Sequence, residues 1–145
     1  MQLPRSLTEE ALKKSLIPGS VLIFEVEFTD KARALKRLIV VSNDNDALVL
    51  MLTTTSNLFL NRNYRKDDIY LKAGQEPAFE KETLVQMNRI IEEPVHKMQE
   101  IYSQGKMKIS KPISAGLLNK IYSAIEKSEL IEQKYIQRIL KHKPA

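Results

Sequence analysis

Lys36-Arg37-Leu38-Ile39-Val40-Val41-Ser42-Asn43-Asp44-Asn45-Asp46-Ala47-Leu48-Val49-Leu50-Met51-Leu52-Thr53-Thr54-Thr55 is the stretch on which the fold turns. Leu38-Ile39-Val40-Val41 is a dense, largely β-branched run that reads as a central strand, because branched side chains pack well on a pleated surface. Ser42-Asn43-Asp44-Asn45-Asp46 consists of residues whose side chains bond their own backbone and tolerate left-handed geometry, so the chain turns there. Residues 47–54 form the next strand, and the two make a hairpin.

Toward the N-terminus, residues 29–36 are polar and charged and read as a connection. Before them, residues 21–28 alternate: Leu22, Phe24, Val26 and Phe28 on one face, Glu25 and Glu27 on the other, the pattern of a half-buried strand. Pro18-Gly19 ends whatever precedes it, since proline disfavours helix in the residue before it and glycine permits a turn. Ser6-Leu7-Thr8-Glu9 has the form of a capping box, with Leu7, Ala11, Leu12 and Leu16 on one helical face, so a short amphipathic helix opens the chain.

Toward the C-terminus, residues 57–68 have no period and read as a long exposed loop. Ile69-Tyr70-Leu71 and residues 83–91 are further strands, separated by a turn at residues 73–77. Five strands in all point to a small barrel. Helical periodicity follows. Val95, Met98, Ile101 and Tyr102 mark a helix entered through Pro94 and stopped near Gly105. Ser114 caps a helix bearing Leu117, Leu118, Ile121, Tyr122 and Ile125, and Ser128 caps another bearing Ile131, Tyr135, Ile136, Ile139 and Leu140. The fold class expected is α+β in one domain (1–145), with an N-terminal helical extension (1–17), a barrel core (18–112) and C-terminal helices (113–145).

Composition narrows the chemistry. The 145 residues are 43% hydrophobic and 28% charged, as in ordinary globular domains, and large enough to bury a core without staples. With no cysteine there is no disulfide framework, thiolate site or cysteine nucleophile, which favours a reducing, cytoplasmic setting. No apolar run reaches the length of a signal-peptide core or a membrane span, so no membrane association is expected. The net charge of +5 favours polyanionic partners modestly, because cations placed against phosphates release counterions. His96 and His142 lie far apart without paired ligand spacing, so no metal is expected, and four glycines form no phosphate loop, so no nucleotide cofactor is expected either. The acidic residues Glu76, Glu80, Glu82, Glu92 and Glu93 could supply a carboxylate pair for acid-base work, but read more simply as a solvated face.

What remains is chemistry open to cations and hydroxyls. RNA cleavage needs an activated 2′-hydroxyl, stabilisation of a phosphorane and protonation of the leaving 5′ oxygen, none of which strictly requires a metal. Antiparallel pairing through the 43–46 turn brings Lys36-Arg37 at the mouth of one strand near Thr53-Thr54-Thr55 at the end of its partner. In the loop, Arg62, Arg65 and Lys66 are candidate RNA contacts. Tyr64 and Tyr70 flank Arg65-Lys66, able to stack on unpaired bases; a simpler reading makes one core and one rim. Tyr122 and Tyr135 lie on apolar helical faces and read as packing residues.

Pro18-Gly19-Ser20-Val21-Leu22-Ile23 resembles the glycine-led first strand of the PemK/MazF toxins, and Lys36 to Asp44 resembles their Arg-Pro, hydrophobic strand, Asn-Asp segment. Thr53-Thr54-Thr55-Ser56 is similar to the family's threonine at the end of the next strand. Phe79-Glu80-Lys81-Glu82-Thr83-Leu84-Val85 takes the place of its serine-containing approach to a late strand, with Thr83 for the serine. Gly105-Lys106 through Leu117-Leu118-Asn119-Lys120-Ile121 resembles its closing glycine, short strand and helix. The resemblance covers residues 18–125. It implies an SH3-like barrel, a homodimer binding RNA across the subunit interface, metal-independent endoribonuclease activity and an antitoxin partner. The catalytic arginine and threonine would fall on Lys36 or Arg37 and on Thr53, Thr54 or Thr55. Alignment through Val40 to Asp44 puts Lys36 at the family's arginine and Arg37 at its proline. The alternative is a barrel of this kind that binds RNA or protein without cutting; without the resemblance, the cations are ordinary strand-flanking charges and the threonines β-formers.

Overall fold

A computed structural model of the protein describes residues 5–27, 33–44, 48–56, 68–141 and 143. Six strands, β1 (Val21–Glu27), β2 (Arg33–Asp44), β3 (Leu48–Thr55), β4 (Ile69–Leu71), β5 (Thr83–Pro94) and β6 (Lys108–Ile109), join four helices, α1 (Arg5–Ser15), α2 (Val95–Ser103), α3 (Ala115–Lys127) and α4 (Gln133–Lys141). The strands form one sheet in the order β4-β5-β3-β2-β1-β6. Every neighbouring pair is antiparallel. The class is α+β as the sequence predicts, and among the described residues no pairing joins the two edge strands into a closed barrel.

The sheet is covered on both sides, which explains why β2 and β3 are apolar without alternation. One core sets Val21, Ile39, Val41, Leu50, Leu52 and Val85 against Leu117, Ile121, Tyr122 and Ile125 of α3 and Ile136 and Ile139 of α4. The other sets Leu22, Phe24, Val26, Leu38, Val40, Val49 and Met51 against Leu12 and Leu16 of α1 and Val95 and Met98 of α2. The alternation read in residues 21–28 is therefore real for Leu22, Phe24 and Val26, while Val21 serves the opposite core and Phe28 lies outside the described residues. Among the described residues no helix is long and apolar enough to cross a membrane.

Several expectations are corrected. β2 begins at Arg33, inside the segment read as a connection. Its first residues pair with β1 as far as Glu27↔Arg33, and Arg33 reaches the Glu25 and Glu27 carboxylates. The solvent-exposed end of an antiparallel ribbon needs no apolar side chains to pair its backbone. Among the described residues strands number six rather than the five read from patterning; the two-residue β6, paired with Leu22 and Ile23, lies where the family resemblance expects a short strand. Ala11 is exposed although Leu12 and Leu16 of the same helix are buried. Ser128 does not open α4: its hydroxyl accepts from the amides of Leu130 and Ile131 in the turn that follows α3, and α4 begins at Gln133. Ser114 does cap α3, its Oγ accepting from the Leu117 amide at 3.2 Å.

Two irregularities shape the sheet. Between Val40 and Ser42 the β2–β3 register slips by a residue, and the Tyr122 hydroxyl of α3 donates to the Val41 carbonyl at that bulge, 3.2 Å away. On the other side of β3, Leu52 pairs with Ile90 but Thr53 with Gln86, so residues 87–89 stand out of the ladder. The Asp68 carboxylate accepts the Met87 amide there at 3.0 Å.

Candidate functional site

The ends of β2 and β3 away from Asp44 and Leu48 converge as the hairpin reading requires. The β2–β3 ladder ends at Leu38↔Thr53, and one step further the Thr54 hydroxyl donates to the Arg37 carbonyl at 2.7 Å. Period-2 alternation then separates the candidates. Arg37 follows the parity of Ile39 and Val41, and Thr54 that of Leu50 and Leu52, so both belong to the α3/α4 face. Lys36 follows Leu38 and Val40 onto the α1/α2 face, where Thr53 also points, its hydroxyl donating to Gln86 Oε1 at 2.8 Å.

Arg37 and Thr54 meet in a cavity of about 270 Å³ at this sheet end. Leu35, Lys36 and Arg37 supply the β2 wall, Thr54, Thr55 and Ser56 the end of β3, and Phe79, Glu80, Lys81 and Thr83 the approach to β5. Three cations therefore face one carboxylate, with hydroxyls between them, a balance that favours an anionic ligand. Arg37 is exposed, Lys36 half-buried, and Thr53, Thr54, Thr55 and Thr83 are buried. The Thr83 hydroxyl is taken by the Lys81 carbonyl at 2.9 Å. Burial, and secondarily the Arg89 guanidinium, hold the Lys36 ammonium below the ordinary lysine pKa.

The wall opposite β2 is held rigidly. Gly74, at φ 75°, turns the chain so that its amide donates to the Phe79 carbonyl, and Phe79 donates back to the Glu76 carbonyl, both at 3.0 Å. Glu76 is not on a solvated face. It is buried, and its carboxylate accepts the Ser114 amide at 2.7 Å and the Ser114 hydroxyl at 2.8 Å. The cap of α3 thus anchors the turn that carries Phe79, Glu80 and Lys81. Glu80, Glu82 and Glu92 are exposed, in keeping with the solvated reading, and Glu93 is partly buried.

Of the residues singled out in the sequence, Lys36, Arg37, Thr54, Thr55 and Thr83 come together here, and Thr53 lies beside them on the far face. Arg62, Tyr64, Arg65, Lys66 and His142 fall outside the described residues. Tyr70 is on the rim, its hydroxyl bonded to Glu82. Leu35, Ser56, Phe79, Glu80 and Lys81 join them in the lining; in the sequence, Ser56 and the 79–85 segment carry a signal through their places in the family pattern, Glu80 carries one as a member of the acidic group, and Leu35 carries none. Among the described residues no three potential metal ligands cluster. No protein-family model matches the chain, and no curated protein does.

Proposed function

We propose that the chain is an endoribonuclease of the PemK/MazF-like kind, built on an SH3-like barrel, that cuts single-stranded RNA without a metal. One observation carries this reading: Arg37 and Thr54, a cation and a hydroxyl from neighbouring strands, share one open, cation-rich cavity. A phosphodiester seated there meets the Arg37 guanidinium, whose planar fork suits two phosphate oxygens and the charge that grows on the phosphorane. Thr54 donates to the Arg37 carbonyl, so its oxygen is left to accept from the substrate and to orient the ribose. Glu80, the carboxylate of the lining, takes the proton of the 2′-hydroxyl. The 2′ oxygen bonds phosphorus, the bond to the 5′ oxygen breaks, and Lys81 protonates the leaving alkoxide, giving a 2′,3′-cyclic phosphate and a 5′-hydroxyl. Homodimerisation, an antitoxin partner and a cytoplasmic setting belong to the same proposal.

The test is digestion of a mixed single-stranded RNA pool in EDTA. Cyclic-phosphate ends are expected, with Arg37→Ala slowing cleavage by about 10²-fold or more, as loss of a transition-state donor does. Intact RNA at every protein concentration would reject the enzyme. A second reading, an RNA-binding module that does not cut, draws on Lys36: alignment sets it at the family's arginine, yet it lies across the strand from Thr54. That reading expects salt-sensitive RNA affinity with every nucleotide intact.

A further inference from the structure

On the α3/α4 side of the sheet, the row that holds Arg37 and Thr54 continues away from the cavity. Arg37 pairs with Ile23 of β1, and Ile23 pairs with Lys108 of β6. Directly paired residues share a face, so Lys108 and Arg37 stand on the same side with Ile23 between them. The neighbours of Lys108 agree: Met107 packs in the opposite core, and the Ser110 amide donates to the Val21 carbonyl at 2.9 Å, which extends the same register. Neighbouring strands lie about 4.8 Å apart, so the backbone carries the two cations about 10 Å from each other. Lys108 is exposed and makes no ion pair with a described residue. Leu35, two residues before Arg37 on the same face, is the diagonal neighbour of Ile23. It is 70% exposed, the most of any large apolar side chain among the described residues, and it also lines the cavity. Arg33 reaches the carboxylates of Glu25 and Glu27 on this face, at 3.8 and 3.9 Å, and partly offsets their charge.

We propose that single-stranded RNA leaves the cavity along this row: the base of the next nucleotide lies on Leu35 and Ile23, and Lys108 takes the phosphate beyond it. This course rests on reading the cavity as an RNA site, and it gives the strand a direction, across β1 toward β6. An apolar patch between two cations suits a flat base between two phosphates, and Leu35 makes the patch continuous with the cavity wall. Only an unpaired base can lie face-down on a sheet, so the patch selects single strands over duplex.

The test is binding of a single-stranded 2′-deoxy oligonucleotide of mixed sequence, which cannot be cut through a 2′-hydroxyl, followed by fluorescence anisotropy over a range of salt. Lys108→Gln is expected to raise Kd about fivefold and to make the salt slope shallower by about one phosphate contact. Leu35→Thr, which keeps a good strand former, is expected to raise Kd about fivefold at unchanged slope, because it removes apolar contact and no charge. With an oligonucleotide that lacks its bases, Lys108→Gln should still weaken binding and Leu35→Thr should not. Lys13→Gln, on α1 at the opposite face, should leave Kd and slope close to the parent's. Leu35 and Lys108 are exposed, so both variants are expected to melt like the parent. The track is overturned if either variant binds as the parent does, if Lys13→Gln weakens binding equally, or if the parent binds no oligonucleotide. It is overturned too if Leu35→Thr breaks up a dimer in gel filtration, which would give the patch to a second copy of the chain. Binding with these signatures and RNA left uncut would sink the nuclease and keep the track; RNA cut by a protein indifferent to both changes would do the reverse.

Discussion

Tyr122 is buried in the core between the sheet and α3; its hydroxyl donates to the Val41 carbonyl, and the Lys143 ammonium stands over its ring, 5.6 Å from the centroid. Burial pushes its pKa up from 10.0 to about 12. The folded protein thus holds this proton more tightly than the unfolded chain, so the stabilisation is complete below about pH 10 and is lost as pH rises through about 12. Urea titrations across that window should show stability falling in the parent, and Tyr122→Phe should flatten the fall while costing about 1 kcal/mol at neutral pH. Ser42 is the reverse case: its hydroxyl is fully buried and has no partner among the described residues. Ser42→Ala removes that desolvated oxygen and should leave stability unchanged or raise it by about 1 kcal/mol in the same assay. Glu76 differs from both, because a buried carboxylate answers two donors of Ser114. Glu76→Ala should cost about 2–3 kcal/mol, since hydrogen bonds to a charged group are the stronger kind and their loss strands the donors.

At the level of elements, α2 shows how much of an end is written locally. The Gly105 amide donates to the Tyr102 carbonyl and Lys106 to Ile101, the paired bonds of a left-handed helix stop, with Gly105 at φ 73°. Gly105→Ala is expected to lower the thermal midpoint by the equivalent of about 1 kcal/mol, because only glycine occupies that region without penalty. Such punctuation was legible: Pro18-Gly19, Ser114 and Gly105 all act where the sequence places them. What was not legible depends on partners distant in sequence. Nothing local in Arg33 to Arg37 distinguishes strand from loop until β1 is alongside, and nothing in residues 83–94 announces that three of them leave the ladder. Glu76 read as surface because its partner lies 38 residues away. The hairpin put Arg37 and Thr54 together from sequence, but which threonine and which cation share a face depends on a register that residue types alone leave open.

For the molecule as a whole, the sheet depends on cover from both ends of the chain. Removing α4 by ending the chain after Lys127 uncovers the side of the core that Ile131, Ile136 and Ile139 seal. Each buried isoleucine contributes about 2 kcal/mol, so the loss rivals the net stability of a domain this size. Such a truncation should bind a hydrophobic dye and lose its sharp melting transition, whereas a chain with stable packing at that face would melt cooperatively. The order of cover also matters during synthesis. α1 and α2 can close their side as soon as the strands pair, but Ile39, Val41, Leu50 and Leu52 on the opposite side wait for α3 and α4 to leave the ribosome. A nascent chain stalled before α3 would therefore present an adhesive slab of sheet, making this stage of translation the point at which chaperones are most needed and inclusion bodies most readily seeded.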